Sequence, residues 1–389
     1  MDKQIEELLT RGVDEVIGGE ELESKLNSGK KLRVKLGIDP TSPDLHIGRS
    51  VPLLKVRDFQ EMGHQAVLIV GDFTGVIGDT SDKDSERPML DREVIEENKK
   101  NYFKQIGKII DLDKAELRYN SEWLENLTYR EIGEHANQFS VADFIARDNI
   151  KRRLDSGKRV SLREMLYPLM QGYDSVAVEA DVEIGGVDQR FNLLAGRTLQ
   201  EHFKQTPQSI VATTFPILGL DGRKMSSSWG NTINFNTEPN DMFGKVMSMV
   251  DEQVGEYFKA CTRLPLEEVS VVMKGHPKEA KMRLAFEIVK IYHGEELAQS
   301  AQENFNQAFS KGGVPKDILE IKVSKNESLV DVLISNNLVD SKTEWRRLVS
   351  DGAVSDIETG ERLNSIDEKV SNDVVLKIGK HRFVKIITN

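Results

Sequence analysis

The stretch GIDPTSPDLHIGRS, from Gly37 to Ser50, connects a predicted strand to a predicted helix. The strand is LRVKLGI (32–38), a short apolar run of the kind that is buried in a sheet. The helix is indicated by apolar residues that share one face, namely Ile47, Val51, Leu54, Phe59 and Met62. Gly63 is expected to end the helix, and AVLIVGDF (66–73) predicts the next strand. Residues 32–73 therefore predict a strand–helix–strand unit.

The residues His46-Ile47-Gly48 stand at the N-terminus of this predicted helix. Backbone N–H groups without partners and the helix dipole favour phosphate there, and a glycine lets a ligand approach the backbone closely. An imidazole can also donate to phosphate oxygens whose charge grows in a transition state. Asp39-Pro40-Thr41 is expected to form the turn before the helix. Taken alone, a His-x-Gly sequence is better explained by a structural histidine.

Predicted strands and helices alternate through the first part of the chain. SVAVEADVEI (175–184) and QSIVATTFPIL (208–218) predict two further strands. The alternation predicts an α/β fold with a doubly wound, Rossmann-like parallel sheet in residues 1–232. The chain from about 85 to 170 is charged, has a helical pattern and contains no candidate strand, so we expect a helical insertion there. Residues 1–26 are acidic and predict an amphipathic helix.

The character of the chain changes after about residue 235, where helical patterns are joined by polar linkers. SKGGVPKD (310–317) is rich in glycine and proline, which predicts a linker. The C-terminal region predicts short helices followed by DVVLKIGKHRFVKI, whose alternating pattern is typical of a hairpin. We therefore expect an α-helical domain at 233–320 and a small α+β domain at 325–389.

Composition limits the classes of function. The 389 residues carry a formal net charge of −11, which argues against nucleic-acid binding over the whole surface, although KIGKHRFVK provides a local basic patch. The single cysteine, Cys261, excludes internal disulfides and zinc sites that need several cysteines. No run approaches the roughly 18 apolar residues of a membrane span, and the acidic N-terminus is unlike a secretory signal. These features predict a cytoplasmic protein without membrane contact.

A second polar segment, DGRKMSSSWGN, runs from Asp221 to Asn231. Lys224 provides a mobile positive charge, and Ser226 to Ser228 provide hydroxyl donors on a loop flanked by glycines. Such a loop can close over a polyphosphate and neutralise departing pyrophosphate. On its own, the segment is better explained as a solvated surface turn.

The two segments together, HIG and KMSSS in one doubly wound fold, resemble the signatures of class I aminoacyl-tRNA synthetases. In that family the two signatures bind ATP and assist formation of the aminoacyl adenylate. The resemblance implies ATP binding by Asp39, Thr41, His46, Gly48, Lys224, Met225 and Ser226. It implies catalytic roles for His46, Arg49, Lys224 and Ser227. Mg²⁺ is expected to accompany ATP, and no zinc bound by the protein is expected.

The segment YPLMQGYDSVAVEADVEIGGVDQRFN resembles tyrosyl-tRNA synthetases. That family has a Tyr-x-x-x-Gln-x-x-Asp helix, which is matched here by Tyr167, Gln171 and Asp174. Positions i, i+4 and i+7 lie on one helix face, so the three side chains can reach one ligand. The resemblance implies that Asp174 accepts the phenolic O–H of tyrosine. It also implies that Tyr167 and Gln171 hold the ammonium group of that substrate.

Other segments match the same family. GDFTGVIGDT implies that Asp79 shares the ammonium group and that Thr74 lines the pocket. The match also places Gly37 in the tyrosine-binding set, and GGVDQ places Gln189 near the tyrosine.

Two groups of residues are matched to ATP and pyrophosphate. GGVDQ implies that Gly186 and Asp188 meet the ribose of ATP. The loop SDKDSER places Lys83 and Arg87 where the family has mobile cations for pyrophosphate. Without the resemblance, this loop would be an ordinary charged loop.

The C-terminal part of the chain fits the same resemblance. PKEAKMRLAFEIV is similar to the helical anticodon-binding region, which assigns that role to residues 233–320. LVDSKTEWRRLVSDGAV and DVVLKIGKHRFVKI resemble the S4 RNA-binding domain of bacterial tyrosyl-tRNA synthetases. Candidates for contacts with RNA phosphates are Arg346, Arg347, Lys380 and Arg382. The resemblance covers the chain from Gly37 to Lys385.

Three positions depart from the commonest family pattern. Arg49 replaces the final His of the HIGH signature, and it binds phosphate with a different reach and geometry. Ser227 replaces a lysine in the KMSKS signature. Lys35 stands where many members have a tyrosine that meets the substrate hydroxyl group. Lys35 either donates to the phenolic oxygen or points elsewhere, and the sequence leaves both alternatives open.

The resemblance implies a tyrosine–tRNA ligase. Tyrosine is activated by in-line attack of its carboxylate on the α-phosphate of ATP, and is then transferred to the 3′ end of tRNA(Tyr). A homodimer joined through the helical insertion is expected. The alternatives are a tryptophan–tRNA ligase, and an RNA-binding paralogue that has lost activation, in which Arg49 and Ser227 would mark decay.

Overall fold

The structure is a computed structural model of the whole chain. It describes residues 3–81, 85–86, 88–214, 217–223, 225, 230–310, 318–336, 338–357, 359, 361–363, 365–379 and 382–388. Most of the linker predicted at 310–317 lies outside these residues.

The described residues form helices and strands in the following positions. The helices are α1 (Lys3–Thr10), α2 (Gly19–Asn27), α3 (Ser50–Glu61), α4 (Asp72–Ile77), α5 (Arg92–Lys99), α6 (Tyr102–Ile106), α7 (Ser121–Leu124), α8 (Tyr129–Ala136), α9 (Val141–Ile145), α10 (Asp148–Asp155), α11 (Leu162–Ala177), α12 (Arg190–His202), α13 (Pro239–Met247), α14 (Val254–Cys261), α15 (Leu266–Val272), α16 (Pro277–His293), α17 (Glu295–Ser310), α18 (Leu329–Ser335) and α19 (Lys342–Ser350). The strands are β1 (Val13–Ile17), β2 (Arg33–Ile38), β3 (Gln65–Val70), β4 (Glu116–Tyr119), β5 (Val182–Gly186), β6 (Ser209–Thr213), β7 (Leu319–Val323), β8 (Val354–Asp356), β9 (Val374–Ile378) and β10 (Arg382–Thr388). Within the described ranges, no helix is both long and apolar enough to cross a membrane.

The chain divides into two compact units. One contains residues 1–237 and 249–280, and the other contains residues 238–248 and 281–389. The division into domains at 1–232, 233–320 and 325–389 rests on functional resemblance and stays a prediction.

The first unit is built on a sheet whose described strands have the order β1-β6-β5-β2-β3-β4. Neighbouring strands are parallel, except that β1 runs antiparallel to β6. From β2 the chain winds through α3 to β3, and from β5 it winds through α12 to β6 in the opposite direction. The predicted doubly wound sheet is therefore confirmed. Its topological switch point lies between the carboxyl ends of β2 and β5, where such sheets bind ligands.

The central strands were predicted because both of their faces are covered. Every residue of β6 is buried, and so is all of β3 after Gln65. A strand covered on both sides has a nearly continuous apolar sequence, which is visible without a structure.

The two edge strands were missed. We predicted no strand between 85 and 170, but β4 lies there and pairs with β3. We predicted only helix in residues 1–26, but β1 separates α1 from α2. Both predictions were wrong for the same reason. An edge strand is only half covered, and VDEVI and ELRY have no fully buried position and carry acidic residues.

The strand predicted at 175–184 was placed too early. Helix α11 begins at a capping box formed by Ser161 and Glu164 and continues to Ala177, and β5 begins only at Val182. The sequence SVAVEADVEI contributes buried apolar residues to both elements, Val176 to α11 and Val182 and Ile184 to β5. A short apolar run of this kind does not distinguish a helix end from a strand.

Helices α11 and α12 pack closely at Gly172. A Cβ atom at this position would lie 2.9 Å from the carbonyl carbon of Ala195 and 3.1 Å from the backbone nitrogen of Gly196. We expect Gly172→Ala to lower the free energy of unfolding by about 1–3 kcal/mol, because backbone atoms must move. Urea denaturation measures the change.

Gly133→Ala is the matched control, because Gly133 lies in α8 and a Cβ atom there would meet nothing within 4 Å. That substitution is expected to raise stability by up to about 1 kcal/mol through helix propensity. Equal effects of the two substitutions would contradict the close packing of α11 on α12.

The second unit contains a helical part and a small sheet. Helix α13 packs on α17. The sheet has the order β7-β10-β9-β8, and the antiparallel pair β9–β10 confirms the predicted hairpin. Trp345 of α19, Leu333 of α18 and Val384 of β10 lie in its core, where Trp345 is 1 % exposed.

Candidate active site

A cavity opens at the switch point between β2 and β5. Many of the residues predicted to bind tyrosine or ATP line it, namely Gly37, Asp39, Thr41, Gly48, Arg49, Thr74, Asp79, Tyr167, Gln171, Asp174, Gly186, Asp188 and Gln189. The carboxyl ends of β2 and β5, the segments after β3 and β4, and one face of α11 supply them. These residues are far apart in the sequence, and the parallel sheet brings them to one edge.

Asp174 lies buried in the cavity wall, on the same face of α11 as Tyr167 and Gln171. Its carboxylate accepts hydrogen bonds from Trp123 Nε1 at 2.8 Å and from Asn120 Nδ2 at 3.3 Å. Burial raises the pKa of Asp174 to about 7, although the positive charge of Lys35 and the two hydrogen bonds lower it. A carboxylate has about four acceptor positions, so Asp174 keeps the capacity to bind a further donor.

Asp39 forms a second acidic corner of the cavity. It follows β2 and accepts hydrogen bonds from Thr74 Oγ1 at 2.7 Å and from the Tyr167 hydroxyl group at 2.8 Å. Burial raises its pKa to about 6. Gly71 makes this corner possible, because a Cβ atom there would lie 2.1 Å from Asp39 Oδ1 and 2.3 Å from Thr74 Oγ1.

Asp79 and Gln189 are joined at another side of the cavity. Gln189 Nε2 donates to Asp79 Oδ2 at 2.7 Å, and Asn192 Nδ2 holds the Gln189 carbonyl oxygen at 2.9 Å. The backbone N–H of Ser81 also donates to Asp79. Asp79, which is predicted to bind the ammonium group, and Gln189, which is predicted to lie near the tyrosine, are thus already in contact with each other.

The HIG segment folds as predicted at the start of a helix. A 3₁₀ turn, Ile47–Arg49, leads directly into α3. Burial and the charge of Arg49 lower the pKa of His46 to about 4, so its imidazole is neutral near pH 7. Nδ1 of His46 is buried and has no hydrogen-bond partner among the described residues.

Gly48 connects the two signature segments. Its backbone N–H donates to the sulfur atom of Met225 at 3.3 Å, so the structure brings Met225 of the KMSSS segment to the HIG segment. A Cβ atom at Gly48 would approach the His46 ring to 2.8 Å. Arg49 is exposed and has no hydrogen-bond partner within the described part of the chain, so it is available to an anion.

Several predicted residues lie outside the described residues. These are Lys83, Arg87, Lys224, Ser226, Ser227 and Lys380.

Lys35 points away from the cavity. Its ammonium group donates to Glu183 Oε1 and Ser175 Oγ, each at 2.8 Å, and to the carbonyl oxygen of Gln171 at 3.0 Å. The side chain is fully buried, and Lys35 is not among the described residues that line the cavity. Of the two alternatives for Lys35, the structure supports the second, and we withdraw its direct contact with the phenolic oxygen.

Asn120 and Trp123 were missed by the sequence analysis. Asn120 links two polar residues of the cavity wall, because its Nδ2 donates to Thr74 Oγ1 at 2.9 Å as well as to Asp174. Asn120 comes directly after β4, and Trp123 lies in α7, the helix that follows. Polar residues at the carboxyl end of a parallel strand are the signal that would have identified them, and it was lost together with β4.

The candidate RNA-binding residues of the second unit differ in their surroundings. Arg346 and Arg347 are exposed on α19. Arg382 donates to the carbonyl oxygen of Leu338 at 2.6 Å and to Glu344 at 2.9 Å. The charge of Arg382 is therefore already compensated within the sheet and helix that it joins.

The described residues contain no cluster of three or more His, Cys, Asp or Glu side chains that could hold a metal ion. Cys261 is buried, and burial raises its pKa to about 12, so the thiol is protonated near neutral pH.

Known proteins resemble this chain over most of its length. The family model described as "tRNA synthetases class I (W and Y)" matches residues 27–310. A tyrosine–tRNA ligase of Thermotoga maritima is 44% identical over 389 residues, which cover 97% of this chain and 96% of the relative. A tyrosine–tRNA ligase of Moorella thermoacetica is 44% identical over 396 residues, which cover 98% and 95% of the two chains.

Solved structures show the same fold. A C-terminally truncated mitochondrial tyrosyl-tRNA synthetase of Aspergillus nidulans has a TM-score of 0.68 at 22% identity, covering 79% of this chain and 95% of that one. A tyrosyl-tRNA synthetase of Archaeoglobus fulgidus, in complex with L-tyrosine, has a TM-score of 0.61 at 23% identity, covering 77% and 99%. The resemblance stated from the sequence is confirmed: the chain belongs to the class I tRNA synthetases of the tryptophan and tyrosine family.

Proposed function

We propose that this chain is a tyrosine–tRNA ligase. It converts tyrosine and ATP to tyrosyl adenylate and pyrophosphate, and it then transfers tyrosine to the 3′ end of tRNA(Tyr). The observation that carries this proposal is the Asp174 carboxylate, buried in the cavity at the switch point and oriented by Trp123 and Asn120. Relatives that are 44% identical over nearly the whole chain are tyrosine–tRNA ligases.

Tyrosine is recognised at both of its ends. The phenolic O–H donates to Asp174, and the ammonium group meets Asp79, Tyr167 and Gln171, with Gln189 beside them. A site that hydrogen-bonds a hydroxyl group discriminates strongly against the analogue that lacks it, because its buried polar group then has no partner. For tyrosyl-tRNA synthetases this preference over phenylalanine is known to be about 10⁵, a value taken from that family and not from this cavity.

Activation requires no protein nucleophile. The tyrosine carboxylate attacks the α-phosphate of ATP in line, and the pyrophosphate group leaves. The neutral His46 imidazole donates to the phosphate oxygens, and Arg49 neutralises the charge that grows on them. Gly186 and Asp188 hold the ribose, and Asp39, Thr41, Gly48 and Met225 complete the ATP site. By the family resemblance, Lys83, Arg87, Lys224, Ser226 and Ser227 supply the remaining donors to the phosphates.

Mg²⁺ enters this site with ATP. Carboxylates are present in the cavity at Asp39, Asp79 and Asp188, although the described residues form no three-ligand metal cluster. This donor set suits an ion that keeps most of its waters and is held mainly by substrate phosphates. When bound, Mg²⁺ neutralises charge on those phosphates.

The C-terminal part of the chain binds tRNA(Tyr). Residues 233–320 take the role of the anticodon-binding domain, and residues 325–389 that of the S4-like domain. Arg346 and Arg347 are exposed and positively charged, which suits contacts with RNA phosphates. We give Arg382 a structural role in place of direct RNA contact, because Leu338 and Glu344 already occupy its guanidinium group.

The protein acts as a homodimer joined through the helical insertion. Large apolar side chains of the insertion are exposed: Tyr129 is 95% exposed, Val141 73% and Leu162 78%. Large apolar side chains exposed in one segment of the chain suit a protein interface there. We expect Val141→Asp to shift the protein to a monomer in light scattering at micromolar concentration, because the interface would have to bury a carboxylate.

Val271→Asp is the control for this experiment. Val271 is 71% exposed but lies in α15, outside the insertion. This variant should remain a dimer. A wild-type protein that is monomeric, or a Val141→Asp variant that stays dimeric, would contradict the assigned interface.

One assay tests the function. ATP–pyrophosphate exchange is measured with tyrosine, phenylalanine and tryptophan, and is followed by aminoacylation of tRNA(Tyr). Exchange that depends on tyrosine and charging of the tRNA are expected. Exchange with tryptophan in place of tyrosine would indicate a tryptophan–tRNA ligase. RNA binding without exchange would indicate a paralogue that has lost activation.

A further inference from the structure

A buried charged network lies in the wall of the cavity, which its members Gln171 and Glu183 line. Lys35 of β2 and Glu183 of β5 are register partners in the parallel sheet, and their side chains form an ion pair of 2.8 Å with exposures of 0% and 1%. Gln208, directly before β6, donates to the second carboxylate oxygen of Glu183. The network thus joins three neighbouring strands at the level of the switch point.

The same network holds one turn of α11. Lys35 donates to the carbonyl oxygen of Gln171 and to Ser175 Oγ, while Gln171 Nε2 and Ser175 Oγ donate to Glu183 at 3.2 and 3.1 Å. Gln171 and Ser175 flank Asp174 on this turn. The sheet therefore fixes the turn that carries Asp174, and hydrogen bonds from Trp123 and Asn120 fix the Asp174 carboxylate.

We propose that Lys35 is a positioning residue for tyrosine selection. Paired with Glu183, it anchors the Gln171–Ser175 turn of α11. It also places a buried positive charge near Asp174, so that the Asp174 carboxylate is ionised when the phenolic O–H of tyrosine arrives. This inference rests on the proposed function and deepens it. Lys35 recognises the substrate through Asp174 and makes no contact with it.

Electrostatics explain why a lysine suits this position. A buried carboxylate favours its protonated form, and a protonated Asp174 would be a poorer acceptor for the phenolic O–H. An opposite charge close by favours the ionised form, and Lys35 is the main charge that lowers the pKa of Asp174, whereas Glu183 raises it. The charged and titratable groups around Asp174 are Lys35, Asp39, Asp79, Tyr167, Glu183 and, beyond the Trp123 ring, Arg118.

The test measures the preference for tyrosine as a function of pH. Dissociation constants of tyrosine and, by competition, of phenylalanine are measured by equilibrium dialysis from pH 5 to pH 8.5. Asp79 and Tyr167 are assigned to the part common to both amino acids, and Asp39 to ATP, which is absent from this experiment, so their titration cancels in the ratio of the two constants. The ratio reports the phenolic group alone, and it should rise with pH as Asp174 ionises.

Two variants should move the midpoint of this rise in opposite directions. In the double variant Lys35→Met/Glu183→Gln, loss of the Lys35 charge outweighs loss of the weaker Glu183 effect and should move the midpoint up by about one pH unit, so that the preference falls about fivefold at pH 7 and recovers at higher pH. In Glu183→Gln alone, Lys35 remains and the midpoint should move down. If only one of the two variants folds, the direction of its midpoint shift still tests the inference, because the midpoint should rise in the double variant and fall in Glu183→Gln.

Lys55→Met is the control, because Lys55 is also buried, but on α3, where it donates to the carbonyl oxygen of Leu8. It should change thermal stability and leave the midpoint unchanged. A preference that falls by one factor at every pH in the double variant would show a merely structural ion pair and would overturn the inference. A wild-type protein without preference for tyrosine at any pH would overturn the proposed function as well.

Discussion

Asp174→Asn is expected to lower kcat/KM for tyrosine in pyrophosphate exchange by about 100- to 1,000-fold, and to change kcat/KM for phenylalanine little. The reason is that the substrate hydroxyl group loses a charged, buried acceptor, which corresponds to about 3–4 kcal/mol. Asn120 and Trp123 would remain in place, oriented toward an amide that cannot accept all of the hydrogen bonds of a carboxylate. The preference for tyrosine over phenylalanine should fall by the same factor.

The same substitution has a second effect, on stability. The pKa of Asp174 is about 7 in the folded protein against an ordinary value of 3.8, so the folded state binds the proton more tightly. A carboxyl group with a raised pKa destabilises the fold increasingly as pH rises from 3.8 to 7. Relative to the wild type, Asp174→Asn should therefore gain about 2–3 kcal/mol in free energy of unfolding between pH 5 and pH 8.

The change in stability with pH and the preference for tyrosine over phenylalanine together distinguish a residue that selects tyrosine from one that only stabilises the fold. Urea denaturation of both proteins at pH 5 and pH 8 measures the stability change, and exchange kinetics measure the selectivity. A variant that is less stable than the wild type by an equal amount at both pH values, with its discrimination unchanged, would remove Asp174 from the pocket.

Arg49→Ala is expected to slow adenylate formation by about 100- to 1,000-fold while changing the dissociation constant of tyrosine less than about threefold. Arg49 lines the cavity at the start of α3 and has no hydrogen-bond partner among the described residues. Its charge is therefore available to the phosphate oxygens, where negative charge increases in the transition state. Rapid-quench measurements of adenylate formation separate this step from tyrosine binding.

Two further variants complete the Arg49 experiment. Arg49→His restores the commoner signature residue and should retain part of the rate, because an imidazole also donates to phosphate. Arg92→Ala removes an exposed arginine that pairs with Glu125 at the surface, and it should change neither constant appreciably. A loss confined to tyrosine binding in Arg49→Ala would refute the proposed role in the chemical step.

The central part of the fold could be predicted because its elements are covered by protein on every side. The sequences of β3 and β6 are apolar except at Gln65, Ser209 and Thr213. The polar residues Tyr167, Gln171 and Asp174 of α11 recur at helical spacing. The edge strands β1 and β4 could not be predicted in this way, since a half-exposed strand of four or five residues carries no continuous apolar pattern.

The sequence identified the residues that are predicted to contact the ligand better than the residues that orient those side chains. Asp174 was found from its motif, but Trp123, which orients it, is 51 residues away in the chain, after the missed strand β4. Lys35 could not be assigned because its partner Glu183 is 148 residues away. An ion pair of this kind is set by strand order, and strand order becomes visible only when the sheet is assembled.

A crystal structure with tyrosine and a non-hydrolysable ATP analogue tests the central claim most directly. We expect the phenolic oxygen of the ligand at about 2.5–3.0 Å from a carboxylate oxygen of Asp174, with the triphosphate lying along the His46–Arg49 turn. A tyrosine ring bound elsewhere, or an Asp174 carboxylate turned away from the ring, would contradict the account.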